Sequence, residues 1–136
     1  MIQKLITEKS AGTMLIILFL MIITFHVIVL IGLIPMDMVW GGRLKTQQEL
    51  YVFESVSVLL NALMLWATII RIRYIQPRQP STFIRVVFWL MFILFFLNTI
   101  GNMMALNNLE SYIFTPITLL LALFSLRLAL KPRSAF

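Results

Sequence analysis

One carboxylate and one imidazole stand inside long apolar runs of this chain, and any chemistry would start from them. Glu54 lies in YVFESVSVLLNALMLWATII, and His26, the single histidine, lies in LMIITFHVIVL. A charged side chain in a bilayer-length apolar segment costs about 2.5 kcal/mol or more, so Glu54 has to face a partner rather than hydrocarbon. Ser57, Asn61 and Thr68 fall with Glu54 inside an arc of about 60° when each residue turns ~100° about a helix axis. That is one polar stripe on an otherwise apolar helix.

Two later runs supply partners at matching depth. Asn98 and Asn102 are one turn apart on one face, and Thr115, Thr118, Ala122, Ser125 and Ala129 share a face in the last run. Small residues at this spacing let helices approach and bond across the gap, each bond being worth about 0.6 kcal/mol on average. His26, Glu54, Ser57, Asn61, Asn98, Asn102 and Thr115 are therefore expected to converge beneath the stretch GLIPMDMVWGGRLK, residues Gly32 to Lys45. In that stretch Pro35 is expected to end the first helix. Trp40 is expected in the headgroup layer with its N–H wet. Gly41 and Gly42 permit positive φ. Thr46 to Glu49 reads as a capping box that starts the next helix. Asp37 and Arg43 could pair across the turn for ~0–1 kcal/mol. The stretch is either an anchored turn or a lid, and Trp40, Asp37 and Arg43 join the candidate ligand-binding residues on the second reading.

Most catalytic chemistries lack their residues. One histidine and no HExxH leave a zinc hydrolase short of ligands, so no metal site is assigned. There is no GxSxG, and Gly41-Gly42 is not followed by GK[ST]. A Ser57 nucleophile with His26 as base would lack the exposed turn and the oxyanion donors that acyl transfer needs. No catalytic residue and no cofactor is assigned, and a non-enzymatic role is expected.

The elements that must position these residues follow from composition. The chain has 136 residues, 61% of them hydrophobic, with charged residues at 12%, no cysteine and a mean hydropathy of +0.99. A soluble domain carries nearer a quarter charged residues. Four runs approach or exceed the ~20 residues needed to cross a ~30 Å hydrocarbon core. Helices are expected over residues 11–34, 47–70, 82–106 and 111–130, forming one all-α transmembrane domain over residues 1–136, an antiparallel four-helix bundle. The first run is longer than a signal-peptide core and lacks a small-x-small cleavage site. Pro116 is expected to kink the last helix and free carbonyls near Phe114. Gln76 to Ser81 reads as a short rigid connector.

Basic residues orient the bundle. Lys4, Lys9, Arg71, Arg73, Arg78, Arg85, Arg127, Lys131 and Arg133 fall on one side, against Arg43 and Lys45 on the other. Both termini are thus expected in the cytoplasm. The net charge of +6 is mostly this topology signal, and no nucleic-acid surface is expected. Membrane lipids are the expected partners, with anionic headgroups at the Arg71 to Arg85 loop worth about 1 kcal/mol per basic residue. A protein partner or a homodimer is the other.

The whole chain resembles small bacterial four-helix integral membrane proteins in which a GLIPMDMVWGGRL-type loop precedes a helix carrying a glutamate, here Glu54. The resemblance implies the four-helix fold and a bacterial cytoplasmic membrane, and it transfers no activity and no functional residue. The length is also similar to that of small multidrug transporters, whose essential glutamate lies in the first helix, where the span 11–34 has none. Four-helix quinone or thiol reductases need cysteines that this chain lacks. The expected role is a binding or accessory protein with a polar pocket in the extracytoplasmic half. The alternative is a small proton-coupled transporter or exchanger using Glu54, working as a dimer.

Overall fold

Three helices begin where a hydroxyl accepts from a backbone amide one turn ahead. The computed structural model describes residues 5–75, 81–106 and 108–130. Within them Thr7 accepts from the Ser10 amide at 3.0 Å, Thr46 from Glu49 at 3.1 Å and Ser81 from Ile84 at 3.4 Å. Each such cap satisfies an amide that the helix itself leaves open. At Thr46 the bond is returned, because the Glu49 carboxylate accepts from the amides of Lys45 and Thr46. The capping box read from the sequence is therefore present.

The described residues form an all-helical structure with four helices long and apolar enough to cross a membrane. We number them α1, Glu8–Leu30; α2, Gln47–Ile70; α3, Thr82–Met103; and α4, Asn108–Ala129. Two 3₁₀ turns, Met36–Met38 and Trp40–Gly42, fill the α1–α2 loop, and α2 runs on into a π-helical turn, Arg71–Ile75. Positions 76–80, with Arg78 and most of the expected connector, lie outside the described residues, as do Lys4, Lys131 and Arg133.

Several helix ends differ from expectation. α1 starts at Glu8 rather than residue 11, because Thr7 caps it. It also stops at Leu30 rather than 34, and Gly32 rather than Pro35 ends it. Gly32 has φ +80°, its amide donates to Val29 O at 2.9 Å and the Leu33 amide reaches Ile28 O at 3.2 Å. This paired closure needs a left-handed residue, which glycine adopts without steric cost. α3 ends at Met103 instead of 106, and α4 starts at Asn108 instead of 111. Pro116 consequently lies inside α4, where its missing N–H removes a bond to the carbonyl one turn back.

α1 is the central helix. It packs against both α2 and α4, and α3 packs against α4. Ala11, Leu15, Leu18, Phe19 and Ile22 form its buried stripe at helical spacing. They meet Phe88, Met91 and Phe95 of α3 and Leu121, Ala122, Phe124, Leu128 and Ala129 of α4 in one core. α2 and α3 have almost no direct contact. α2 is also inverted in polarity, since Glu54 and Thr68 are buried while Val52, Leu59, Leu63 and Trp66 are exposed. The gap between α2 and α3 and the inward polar stripe of α2 together frame the site.

Candidate functional site

Glu54 is fully buried, and its two oxygens are held separately. His26 Nδ1, from the last turns of α1, is hydrogen-bonded to Oε2 at 2.6 Å. The Trp40 indole N–H donates to Oε1 at 2.7 Å. Both contacts are short for hydrogen bonds involving nitrogen. The backbone that delivers Trp40 is strained. Trp40 has φ +55°, and Gly41 and Gly42 follow at +70° and +69°. A left-handed residue other than glycine costs about 1–3 kcal/mol and persists only where its surroundings hold it. Here they do so through the Glu54 bond and through ring packing on Phe53, with centroids 4.9 Å apart.

Gly41 also joins the loop to a neighbouring connection. Its carbonyl accepts from the Leu106 amide at 3.4 Å, and a Cβ there would sit 3.7 Å from Ala105 Cα and 3.4 Å from Arg43 Nε. The loop thus rests on the α3–α4 connection. Arg43 fastens the same seam by donating from Nη2 to Met104 O at 3.0 Å.

Beneath the loop is a partly open cavity of about 280 Å³. His26, Trp40, Arg43, Glu54, Ser57 and Asn61 line one side, and Asn98 and Asn102 of α3 line the other. The apolar remainder of the wall includes Phe25, Phe95, Phe114 and Leu121. Asn61 donates from Nδ2 to Ser57 O at 2.8 Å, while its buried Oδ1 has no partner. Asn102 donates from Nδ2 to Thr118 Oγ1 at 3.3 Å, and the Thr118 hydroxyl donates to Phe114 O at 2.8 Å. The Thr99 hydroxyl lies 3.0 Å from that of Thr118, so a buried polar node links α3 to α4.

Eight of the ten residues selected from the sequence line this cavity. Asp37 and Thr115 do not. Asp37 is exposed in the first 3₁₀ turn and makes no ion pair with Arg43, whose guanidinium is taken by the Met104 carbonyl instead. Thr115 is turned into the protein, where its hydroxyl is buried without a partner. Trp40 is half-buried, and its N–H meets Glu54 rather than water. Thr118 and Gly41 were not selected. Thr118 was visible on the polar face of α4, whereas Gly41 matters through the α3–α4 connection, which no local pattern encodes.

The opposite end of the helices holds a second buried carboxylate. Glu8 Oε2 is 2.8 Å from Arg71 Nη2, and Glu8 Oε1 is 3.4 Å from Arg127 Nη1. Arg127 also donates from Nε to Ile6 O at 2.6 Å, and Arg85 from Nε to Ala129 O at 3.2 Å. Arg71 was expected at the headgroups, but it is fully buried. The π-helical turn at the end of α2 begins with this residue. The first helix therefore does contain a glutamate, engaged by arginines of the α2 end and of α4.

Among the described residues no group of three or more His, Asp or Glu side chains gathers as a metal site would require. Comparison of the chain with family models, curated proteins and solved structures gives no match.

Proposed function

We propose that this is an integral membrane protein that binds a small ligand without transforming it, in the cavity beneath Trp40. The helices cross the bilayer as an antiparallel bundle with both ends cytoplasmic, so the cavity lies in the outer half of a bacterial cytoplasmic membrane. Large apolar side chains exposed on every helix suit hydrocarbon and would be a liability in water. The basic residues gather at the end away from the Gly32 to Lys45 loop, as cytoplasmic ends do.

The observation that carries the reading is the state of Glu54. It is fully buried, held by two donors from separate elements, and set in the wall of a cavity large enough for a small headgroup. Joining helices does not by itself require the open space that lies beside this carboxylate. Among the described lining residues Ser57 has no base within hydrogen-bond distance to activate it, which favours binding over catalysis. Native mass spectrometry of gently extracted protein tests the proposal. A retained small molecule, lost in Glu54→Gln at unchanged thermal stability, is the expected result. Pore-like or pH-driven flux in proteoliposomes, abolished by Glu54→Gln, would instead identify an exchanger. A reporter joined after Phe136 should read cytoplasmic and one inserted at Gly42 extracytoplasmic.

A further inference from the structure

The cavity lies where the helix packing is incomplete. α2 leans on α1, α3 leans on α4, and α1 joins α4, leaving α2 and α3 almost without contact. A gap between membrane helices faces lipid, and apolar residues would be the economical lining for it. The residues present are polar instead. Ser57 and Asn61 stand on the α2 side and Asn98 and Asn102 on the α3 side, with Asn98 exposed. Polar side chains of this kind are unfavourable against hydrocarbon unless something satisfies them.

Asn61 specifies what that something must offer. Its Nδ2 is committed to the Ser57 carbonyl, which fixes Oδ1 as the free end, and this buried oxygen accepts no bond. A buried acceptor left unpaired keeps its full desolvation penalty. Glu54 adds carboxylate oxygens with lone pairs beyond the ones used by His26 and Trp40. The nearby guanidinium of Arg43 donates to Met104 O at the loop seam. Among the described lining residues, the buried side-chain atom left without a partner is thus an acceptor. The remaining wall, with Phe25, Phe95, Phe114 and Leu121, is apolar and offers a chain or ring contact.

Resting on the binding role proposed above, we infer that the ligand is an amphiphile with a hydroxyl- or amide-bearing head, entering sideways from the bilayer between α2 and α3. Its head donates to Asn61 Oδ1, its apolar part lies in the α2–α3 gap, and Trp40 covers it from above. A cavity of about 280 Å³ accommodates a headgroup but not a helix of a second copy.

The chain has no cysteine, so single thiols can be introduced cleanly. The test uses protein with Trp66→Phe and Trp89→Phe, leaving Trp40 as the sole tryptophan, in phosphatidylcholine vesicles. The probes are a monoacylglycerol brominated on its acyl chain, with two donor hydroxyls, and the matching brominated methyl ester, with none. Saturable quenching of Trp40 by the monoacylglycerol and only bulk-lipid quenching by the ester is expected. Asn61→Leu should weaken the saturable component roughly fivefold to tenfold, the loss of about one buried hydrogen bond. A methanethiosulfonate label on Ser57→Cys should block it, and reduction should restore it in the same sample, which excludes misfolding as the cause. Equal saturable quenching by both probes overturns the donor-head requirement. If neither probe saturates but native mass spectrometry finds a retained water-soluble molecule, the lateral amphiphile is wrong and the binding pocket stands. If neither probe saturates and nothing is retained, both readings fall.

Discussion

Glu8 and Glu54 lie towards opposite ends of the α1–α2 pair and are buried by different means. Glu8 meets two guanidinium groups, at 2.8 and 3.4 Å, one from the end of α2 and one from α4. Glu54 meets an imidazole and an indole, at 2.6 and 2.7 Å, and borders a cavity. Arginine stays charged at any physiological pH, and here two of them from separate elements each reach one Glu8 oxygen. A carboxylate fixed that way ties elements together and has little freedom to do more. Indole and imidazole hold Glu54 with one contact each, the indole from a loop with left-handed backbone. The difference separates a fastening from a site, although both began as an isolated acid beside an apolar run.

The largest effect should come from the fastening. Glu8→Ala leaves Arg71 and Arg127 without their shared counter-ion, and breaking a buried pair by removing one partner costs about 3–5 kcal/mol. Chemical unfolding in a mild detergent should report that loss, with ligand content per folded molecule unchanged. Glu54→Leu should cost less, about 1–3 kcal/mol, because it strands two donors rather than two charges. If Glu54→Leu proves the more destabilising of the pair, the assignment of roles is reversed.

How legible this was depended on whether the signal was local. The α2 boundaries, the Thr46–Glu49 capping box and the polar stripe of Glu54, Ser57 and Asn61 follow from residue spacing, so the structure reproduces them. The end of α1 was misjudged because proline is a visible helix breaker while Gly32 stops the helix earlier through two backbone bonds. Glu8 precedes the apolar run, so the spacing of that run says nothing about it. Its partners lie 63 and 119 positions away in sequence, a separation that periodicity cannot see. Trp40 followed the same logic. Interfacial preference placed its N–H in water, but a left-handed turn brings it back onto Glu54.

The loop over the cavity allows a finer cut. Trp40→Phe keeps an aromatic ring but deletes one donor to Glu54, with an expected loss of about 0.5–1.5 kcal/mol in unfolding measurements. Ligand release should also become faster, as followed by exchange into ligand-free detergent. Stability lost with no change in release would make Trp40 part of the fastening machinery instead. The smallest effects belong to the outer loop. Arg43→Gln loses the bond to Met104 O and should raise the exposure of Trp40 to the aqueous quencher iodide. Asp37→Asn touches no partner in the cavity and should leave both stability and quenching at the parent values.

The central claim, that Glu54 serves a ligand while Glu8 serves the fold, is tested most directly by Glu54→Gln. The substitution keeps the shape of the side chain and removes its capacity to ionise, while its oxygen can still accept from Trp40 and its amide nitrogen can donate to His26 Nδ1 in the other histidine tautomer. Thermal stability and ligand content of the parent and of Glu54→Gln, purified side by side and weighed by native mass spectrometry, give the answer in one comparison. The account predicts a melting midpoint close to the parent's and an empty pocket. A variant that unfolds like Glu54→Leu, or one that melts normally and still carries the full ligand complement, would contradict it.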